Sequence, residues 1–385
     1  MHILHVSSFA PPHLGGLETC AEGLFQALTD SGFSVQWLFS NVPRMEASSN
    51  TVRIDVWNSV ERSLGIPIPI PKLAGIRRIW ECVQAADLVH VHDVMYFTSF
   101  WAILFARALG KRVVVTLHIW QVPYNNVLIR GLQDVAHRLL GRFCLRSASA
   151  VVTYNQEILK QARLYVEETR LHFIPNGIKK TFREPELEVS HELQANLRAR
   201  LDLPLNSKIA IFAGRFVEKK GLSRIHSMAK QFPAILFLFC GAGPNDPSEW
   251  GCENVKVLGQ KCAFQLRELF YACDILLLPS VGEGFPLVIQ EAMACGLPCL
   301  VLEETWASWG RNRAFFVVSD RQDLETALES YLENPFPIVL RQHIQKFSIT
   351  TWNWTISAAE YRRIYESLVN TNLLNAKVCA ARLDE

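Results

Sequence analysis

Several signals that would assign a chain to a familiar class are missing here. The 385 residues contain ten cysteines (20, 82, 144, 240, 252, 262, 273, 295, 299 and 378) but no Cys-x-x-Cys. That scatter argues against a zinc site and fits reduced thiols buried in a cytosolic protein. The longest uncharged apolar-rich run, residues 94–106, has 13 residues. A spanning helix needs about 20, so no membrane span is expected. The start, MHILHVSSFAPP, lacks the basic and long apolar segments of a signal peptide. A cytoplasmic location is therefore expected. Net charge is only +2, which disfavours a dedicated nucleic-acid binder. Residues 1–180 are the more basic part, at +5. There is no G-x-G-x-x-G, no G-x-S-x-G, no internal repeat and no low-complexity tract.

What is present is βα alternation. Runs rich in Val and Ile at 2–8, 35–40, 88–92, 112–118, 150–153 and 172–175 read as strands. Helical spacing at 17–31 ends at Gly32. Residues 180–206 are charged, carry Pro185 and Pro204, and interrupt the pattern. A second series then begins. Strands are expected at 208–213, 235–240, 255–258, 274–279 and 298–302, with helices at 222–231, 265–272 and 286–295. A last amphipathic helix is expected at 357–370. Such alternation implies parallel sheets with helices on both faces, and the length implies two domains.

The most informative stretch is 274–300, DILLLPSVGEGFPLVIQEAMACGLPCL. A strand feeds a glycine loop and then a helix N-terminus, where unpaired backbone N–H groups can hold an anion. Glu283 in the loop and Glu291 in the helix flank it and can accept hydrogen bonds from hydroxyl groups. GRFVEKKG (214–221) follows the strand 208–213, so Arg215 and Lys220 project from the sheet edge where open α/β folds bind ligands. A guanidinium fork and an ammonium point charge suit a diphosphate. A phosphate between hydroxylated rings is a sugar nucleotide. PPHLGGLE (11–18) carries Gly15 and Gly16, which permit either close backbone approach to a ligand or a tight structural turn, and VVVTLHIW ends a strand with His118, either a structural hydrogen-bond donor or, from its place at the sheet edge, a ligand contact. Asn176–Gly177 is a turn signal. Ser7, Ser8, His90, His92 and Asp93 lack the context of a hydrolase, and no further metal ligand lies near them in sequence, so no metal is expected.

GRFVEKKG, the E-x7-E pair in EGFPLVIQE, AMACGLPCLV, FYACDILLLPS, the glycine loop, TLH and IPNG together resemble glycosyltransferase family 4, in family order over nearly the whole chain. The resemblance implies α/β architecture of the GT-B type, two Rossmann-like βαβ domains facing each other across a cleft. Residues 1–182 would form the acceptor-side domain and 205–352 the nucleotide-sugar-binding domain. A helix at about 355–372 would pack back onto the first. The implied activity is a retaining hexosyl transfer from a nucleoside diphosphate sugar, UDP-sugar favoured over GDP-sugar, to an acceptor hydroxyl, in envelope polysaccharide or glycolipid synthesis. No metal or cofactor is implied.

Carried over residue by residue, Arg215 and Lys220 hold the diphosphate, and Glu283 contacts the transferred sugar. Gly284 and the backbone of Phe285, Pro286 and Leu287 form the phosphate-side loop. Glu291 takes the ribose hydroxyls, Gly15 and Gly16 lie by the donor, and His118 touches the donor sugar. Two departures stand out. Lys179 replaces the usual aspartate after IPNGI, and EETWASWGRNR replaces a Gly-Gly-x-x-Glu signature. A sugar-nucleotide epimerase and a non-catalytic sugar-nucleotide binder are the alternatives. The partners expected are the nucleotide sugar and a sugar or lipid-linked acceptor, without nucleic acid. Residues 128–146, with Arg130, Arg138, Arg142 and Arg146, either lie on anionic membrane at the inner face or pack Leu132, Val135, Leu139 and Phe143 into their own domain.

Overall fold

The computed structural model describes residues 1–13, 15–42, 49–59, 61, 68–120, 127–184 and 187–381, without the side chains of 127–129, 132 and 371–381. The chain forms two compact units. One comprises Met1–Gly177 with Trp354–Glu385, and the other Ile178–Asn353.

The first unit contains β1 (His2–Val6), β2 (Ser34–Ser40), β3 (Thr51–Ile54), a short antiparallel pair β4 (Val56–Trp57) and β5 (Ile70–Pro71), then β6 (Leu88–His92), β7 (Arg112–Leu117), β8 (Ala150–Thr153) and β9 (Leu171–Phe173). Seven of these make one parallel sheet in the order β3-β2-β1-β6-β7-β8-β9. Burial on both faces explains the near-continuous Val/Ile/Leu runs. Neighbouring residues take opposite faces: Leu4 joins one core cluster, with Val89 and Val113, and Ile3 joins another, with Leu88 and Val114. The second cluster also holds Ala358, Tyr361, Ile364 and Tyr365 of the long Trp354–Ala381 helix. Gly23 and Gly177 leave room for the Trp354 indole, which a methyl group at either position would strike. Asn176–Gly177 thus does more than turn the chain. Asn176 is buried, and its side-chain amide donates to Cys20 Sγ at 3.0 Å.

The second unit contains β10 (Lys208–Ala213), β11 (Ile235–Cys240), β12 (Val255–Gly259), β13 (Ile275–Leu278), β14 (Cys299–Leu302) and β15 (Phe316–Ser319). They form a parallel sheet ordered β12-β11-β10-β13-β14-β15. The division between units falls at Gly177/Ile178, ahead of the charged 180–206 stretch that the sequence suggested as the junction. That stretch carries a helix, His191–Arg200, capped by Ser190. It joins the second unit through Arg198, whose guanidinium pairs with Asp274 at 2.8 Å and donates to the Ala272 carbonyl. Its low apolar content hid it from a reading based on hydrophobic period.

In both sheets the strand order reverses next to the first strand, between β1 and β6 and between β10 and β13. Loops leaving such adjacent strands turn to opposite faces and open a crevice at their carboxyl ends, where α/β proteins bind ligands.

Candidate active site

The loops after β10 and β13 flank the crevice of the second unit, and they are tied together. The Val281 N–H donates to the Lys219 carbonyl at 2.9 Å. Gly221, at φ +78, sits against the Pro279 carbonyl, where a side chain would collide. Across this seam Lys220 Nζ meets Glu283 Oε1 at 3.1 Å, with Lys219 Nζ at 3.6 Å. Burial lowers the Lys220 pKa. Glu283 counters that effect, and the charges of Lys219 and Arg215 add to it. Arg215, exposed, therefore shares this electrostatic neighbourhood. The structure thus brings Arg215, Lys220 and Glu283 together.

Glu283 leads into the Leu287–Ala294 helix, whose N-cap, Pro286, offers no side-chain acceptor to the first N–H groups. Glu291 lies one turn further along. Burial raises its carboxyl pKa to about 7, against a downward pull from Lys179. The substituted Lys179 is therefore the cation facing this carboxyl. Phe285 anchors the loop from beneath, buried against Trp309 and Trp352 at ring separations of 5.4 and 5.6 Å. The EETWASWGRNR departure forms the Glu303–Trp309 helix, and its Ser308 hydroxyl reaches the Gly284 carbonyl at 3.2 Å.

A third loop bears on the site and went unnoticed in the sequence. Gly241 and Gly243, after β11, press on Gly214 and Phe216, and the Phe216 N–H donates to the Ala242 carbonyl at 2.9 Å. Its signal was the glycine pair in CGAGP, placed directly after a strand.

The first-unit residues stand apart in character. The Gly15–Gly16 turn opens the helix Gly16–Asp30, but the Glu18 carboxylate folds back against Gly15, at the N-terminal end where an anion would otherwise dock. His13 bridges Glu18 at 3.0 Å and Glu61 at 3.1 Å, and stacks on Phe9. Burial lowers the His13 pKa, but those two carboxylates raise it further, so the net shift is upward.

His118 is buried, and both of its ring nitrogens are engaged, Nε2 with His92 Nδ1 at 2.7 Å and Nδ1 with the Tyr154 hydroxyl at 3.2 Å. As arranged, its imidazole has no polar atom left for a sugar. Burial pushes its pKa to about 3 and keeps it neutral. β1 adds His5 to the His90/His92 pair, with ligand atoms within 4.8 Å of one another, a proximity that sequence spacing did not reveal. Both His90 nitrogens are already bonded, to Thr116 at 2.8 Å and Tyr365 at 2.7 Å, whereas His5 Nδ1 and His92 Nε2 are buried without a partner among the described residues.

The 128–146 segment differs from the packed alternative. It comprises the Val127–Ala136 helix, a π-helical turn His137–Gly141 and the Arg142–Ser147 helix. Phe143 packs on the core, but Val135 and Leu139 are 52% and 67% exposed. The π-helical turn lies between Val135 and Phe143 and changes the rotation from one to the other, so the two do not share the face that a regular helical period assigns them. The Leu132 side chain lies outside the described residues.

Comparison with known proteins bears on the family and the fold. Residues 14–182 match the model described as Glycosyltransferase Family 4, and 194–349 that described as Glycosyl transferases group 1. The chain belongs to the family 4-type glycosyltransferases of the GT-B fold. TuaC, a glycosyltransferase of Bacillus subtilis (strain 168), is 28% identical over 217 residues, 56% of this chain and 52% of TuaC. The alpha-galactosylglucosyldiacylglycerol synthase of Streptococcus pneumoniae (strain ATCC BAA-255 / R6) is 24% identical over 265 residues, 65% of this chain and 69% of that protein. This family member thus spans about half to two thirds of the length of these relatives. Anabaena HepE, solved with UDP, superposes with a TM-score of 0.72 at 16% identity, covering 95% of this chain and 100% of HepE.

Proposed function

We propose that this glycosyltransferase moves a hexosyl group from a nucleoside diphosphate sugar, a UDP-sugar by preference, to an acceptor hydroxyl with retained anomeric configuration. The observation that carries the reading is the Lys220–Glu283 pair at 3.1 Å, with Arg215 beside it, at the crevice of the second sheet. As the bond from sugar to phosphate breaks, negative charge builds on the leaving diphosphate. Arg215, Lys220 and the open N–H groups at Leu287 oppose it, an effect of the kind worth about 3 kcal/mol per donor in other enzymes. Before the donor arrives Lys220 and Glu283 neutralise each other. An entering diphosphate takes over Lys220 and frees Glu283 for the sugar hydroxyls. In a same-face substitution the acceptor oxygen bonds to the anomeric carbon as the phosphate leaves, and the departing phosphate oxygen takes the acceptor proton. Glu283 orients the sugar, and Glu291 accepts from the ribose.

TuaC is named for teichuronic acid biosynthesis and the pneumococcal relative for a glycolipid product. Both names support a role in envelope polysaccharide or glycolipid synthesis. The exposed Val135 and Leu139 among exposed Arg130, Arg138, Arg142 and Arg146 support peripheral contact with an anionic bilayer, which would present a lipid-linked acceptor. No helix among the described residues is long and apolar enough to cross a membrane.

The test is a panel of UDP-, GDP- and ADP-sugars, read by thermal stabilisation and by release of nucleotide. Stabilisation and UDP release with a UDP-sugar support the reading. Isomerised donor without free UDP points to an epimerase, and binding without turnover to a non-catalytic binder.

A further inference from the structure

One cation of the second unit's crevice, Lys219, has no part in the transfer described above. Its Nζ lies 3.6 Å from Glu283 Oε1, the same oxygen that Lys220 Nζ meets at 3.1 Å. Two lysines adjacent in sequence thus converge on one carboxylate oxygen. The charge of Lys219 acts against that of Lys220, and Glu283 is the anion that offsets the repulsion. Oε1 is itself buried and has no hydrogen-bond partner among the described residues. Charge holds this oxygen in place, and its lone pairs stay open to a hydroxyl.

The two lysines are not equivalent. The Lys220 side chain is 14% exposed and shares its surroundings with Arg215, whereas that of Lys219 is 40% exposed. The main chain of Lys219 is fixed to the loop that carries Glu283. Its carbonyl accepts the Val281 N–H at 2.9 Å, two residues before Glu283, and Gly221 just beyond is seated against the Pro279 carbonyl. The Lys219 side chain therefore starts from a set point beside Glu283. The Glu283 side chain is 15% exposed. Once a diphosphate draws Lys220 away and a sugar covers the crevice, that carboxylate would stand largely out of water with no counter-ion, which is costly. Lys219 is the cation within its reach.

We propose that Lys219 is a positioning residue for the donor sugar: when a diphosphate engages Lys220, Lys219 takes over as the counter-ion of Glu283 and keeps its carboxylate turned to the sugar hydroxyls. This role rests on the donor reading, since it begins with the diphosphate. Lys219 acts through Glu283 and touches neither the phosphates nor the anomeric carbon. Its loss therefore bears on the sugar half of the donor more than on the nucleotide half.

The experiment is calorimetry on the full chain with two probes: UDP, and whichever of UDP-glucose, UDP-galactose and UDP-N-acetylglucosamine stabilises the wild type most. Lys219→Met should weaken the UDP-sugar about fivefold more than it weakens UDP, the scale of one partly exposed ion pair. Lys219→Arg, which keeps the charge, should retain most of the wild-type ratio. In a Glu283→Gln background the Lys219→Met change should weaken both probes equally, because no carboxylate is left to pair. Equal losses for the two probes in the Glu283 background would overturn the proposal and make Lys219 a phosphate contact or a bystander. An excess loss that survives in Glu283→Gln would overturn it as well. A wild type that binds neither UDP nor any of the three UDP-sugars would remove the donor reading, and this role with it, so the two failures are distinguishable.

Discussion

The two units repeat one topology and fill it with opposite chemistry. Each is a parallel sheet whose strand order reverses beside its first strand, and each gathers polar residues at that reversal. In the second unit the loops carry Arg215, Lys219 and Lys220, set against Glu283. In the first the loop after β6 carries Asp93 and the Gly16–Asp30 helix carries Glu18, bridged by His13, beside His92 and His118, imidazoles that burial keeps neutral. Backbone topology thus fixes where a ligand can sit. The charge carried by a few side chains sets the two crevices apart, cationic in the second unit and acidic in the first.

Lys220→Ala gives the hardest test of that contrast. Turnover should fall roughly a hundredfold or more while the fold is retained, the scale of removing one group that stabilises transition-state charge. Near-normal turnover would erase the difference between the crevices. Glu291→Ala should come next, weakening UDP binding about tenfold and slowing chemistry less. Equal calorimetric affinities for variant and wild type would remove the ribose assignment.

The Glu291 carboxyl also adds a dependence on pH. Its folded pKa, about 7, is raised above the usual carboxylate value. Below it the group is protonated and accepts hydroxyl bonds poorly. UDP affinity should therefore fall as pH drops through about 7, and Glu291→Gln should flatten the curve. The sign for stability is the reverse. Folding favours the protonated form, so stability is lost as pH rises from the unfolded value through 7, and Glu291→Gln should melt higher than wild type at about pH 8. Coincident melting curves there would show that Glu291 is not buried as described.

A smaller effect is expected at the first unit's closing helix. Gly177→Ala drives a methyl group into the Trp354 indole and should cost about 1–3 kcal/mol in denaturant unfolding. Adding Trp354→Ala should recover part of that loss. If the two costs simply add, Trp354 does not sit against Gly177.

Much of the second unit was legible because its elements are local. β10 and β11 and the Leu222–Gln231 helix lie where the apolar runs and helical spacing placed them. Arg215, Lys220 and Glu283 follow strands directly, so sheet-edge position could be read from sequence order. The first unit was harder to read. Position at a sheet edge suggested that His118 faces a ligand, whereas its nitrogens are taken by His92 and Tyr154, which arrive from β6 and from beyond β8. His5 is more than eighty residues from His90 in sequence, and only the β1–β6 pairing makes them neighbours.

The sequence by itself determined the parallel α/β architecture, the family and the cationic loop of the second unit, because hydrophobic period and residues just after strands are local properties of the chain. Tertiary structure alone decided which polar atoms are left over. Whether His118 is free, and whether Asp93 holds the loop after β7, depend on hydrogen bonds between segments far apart in the chain, and no local pattern records them.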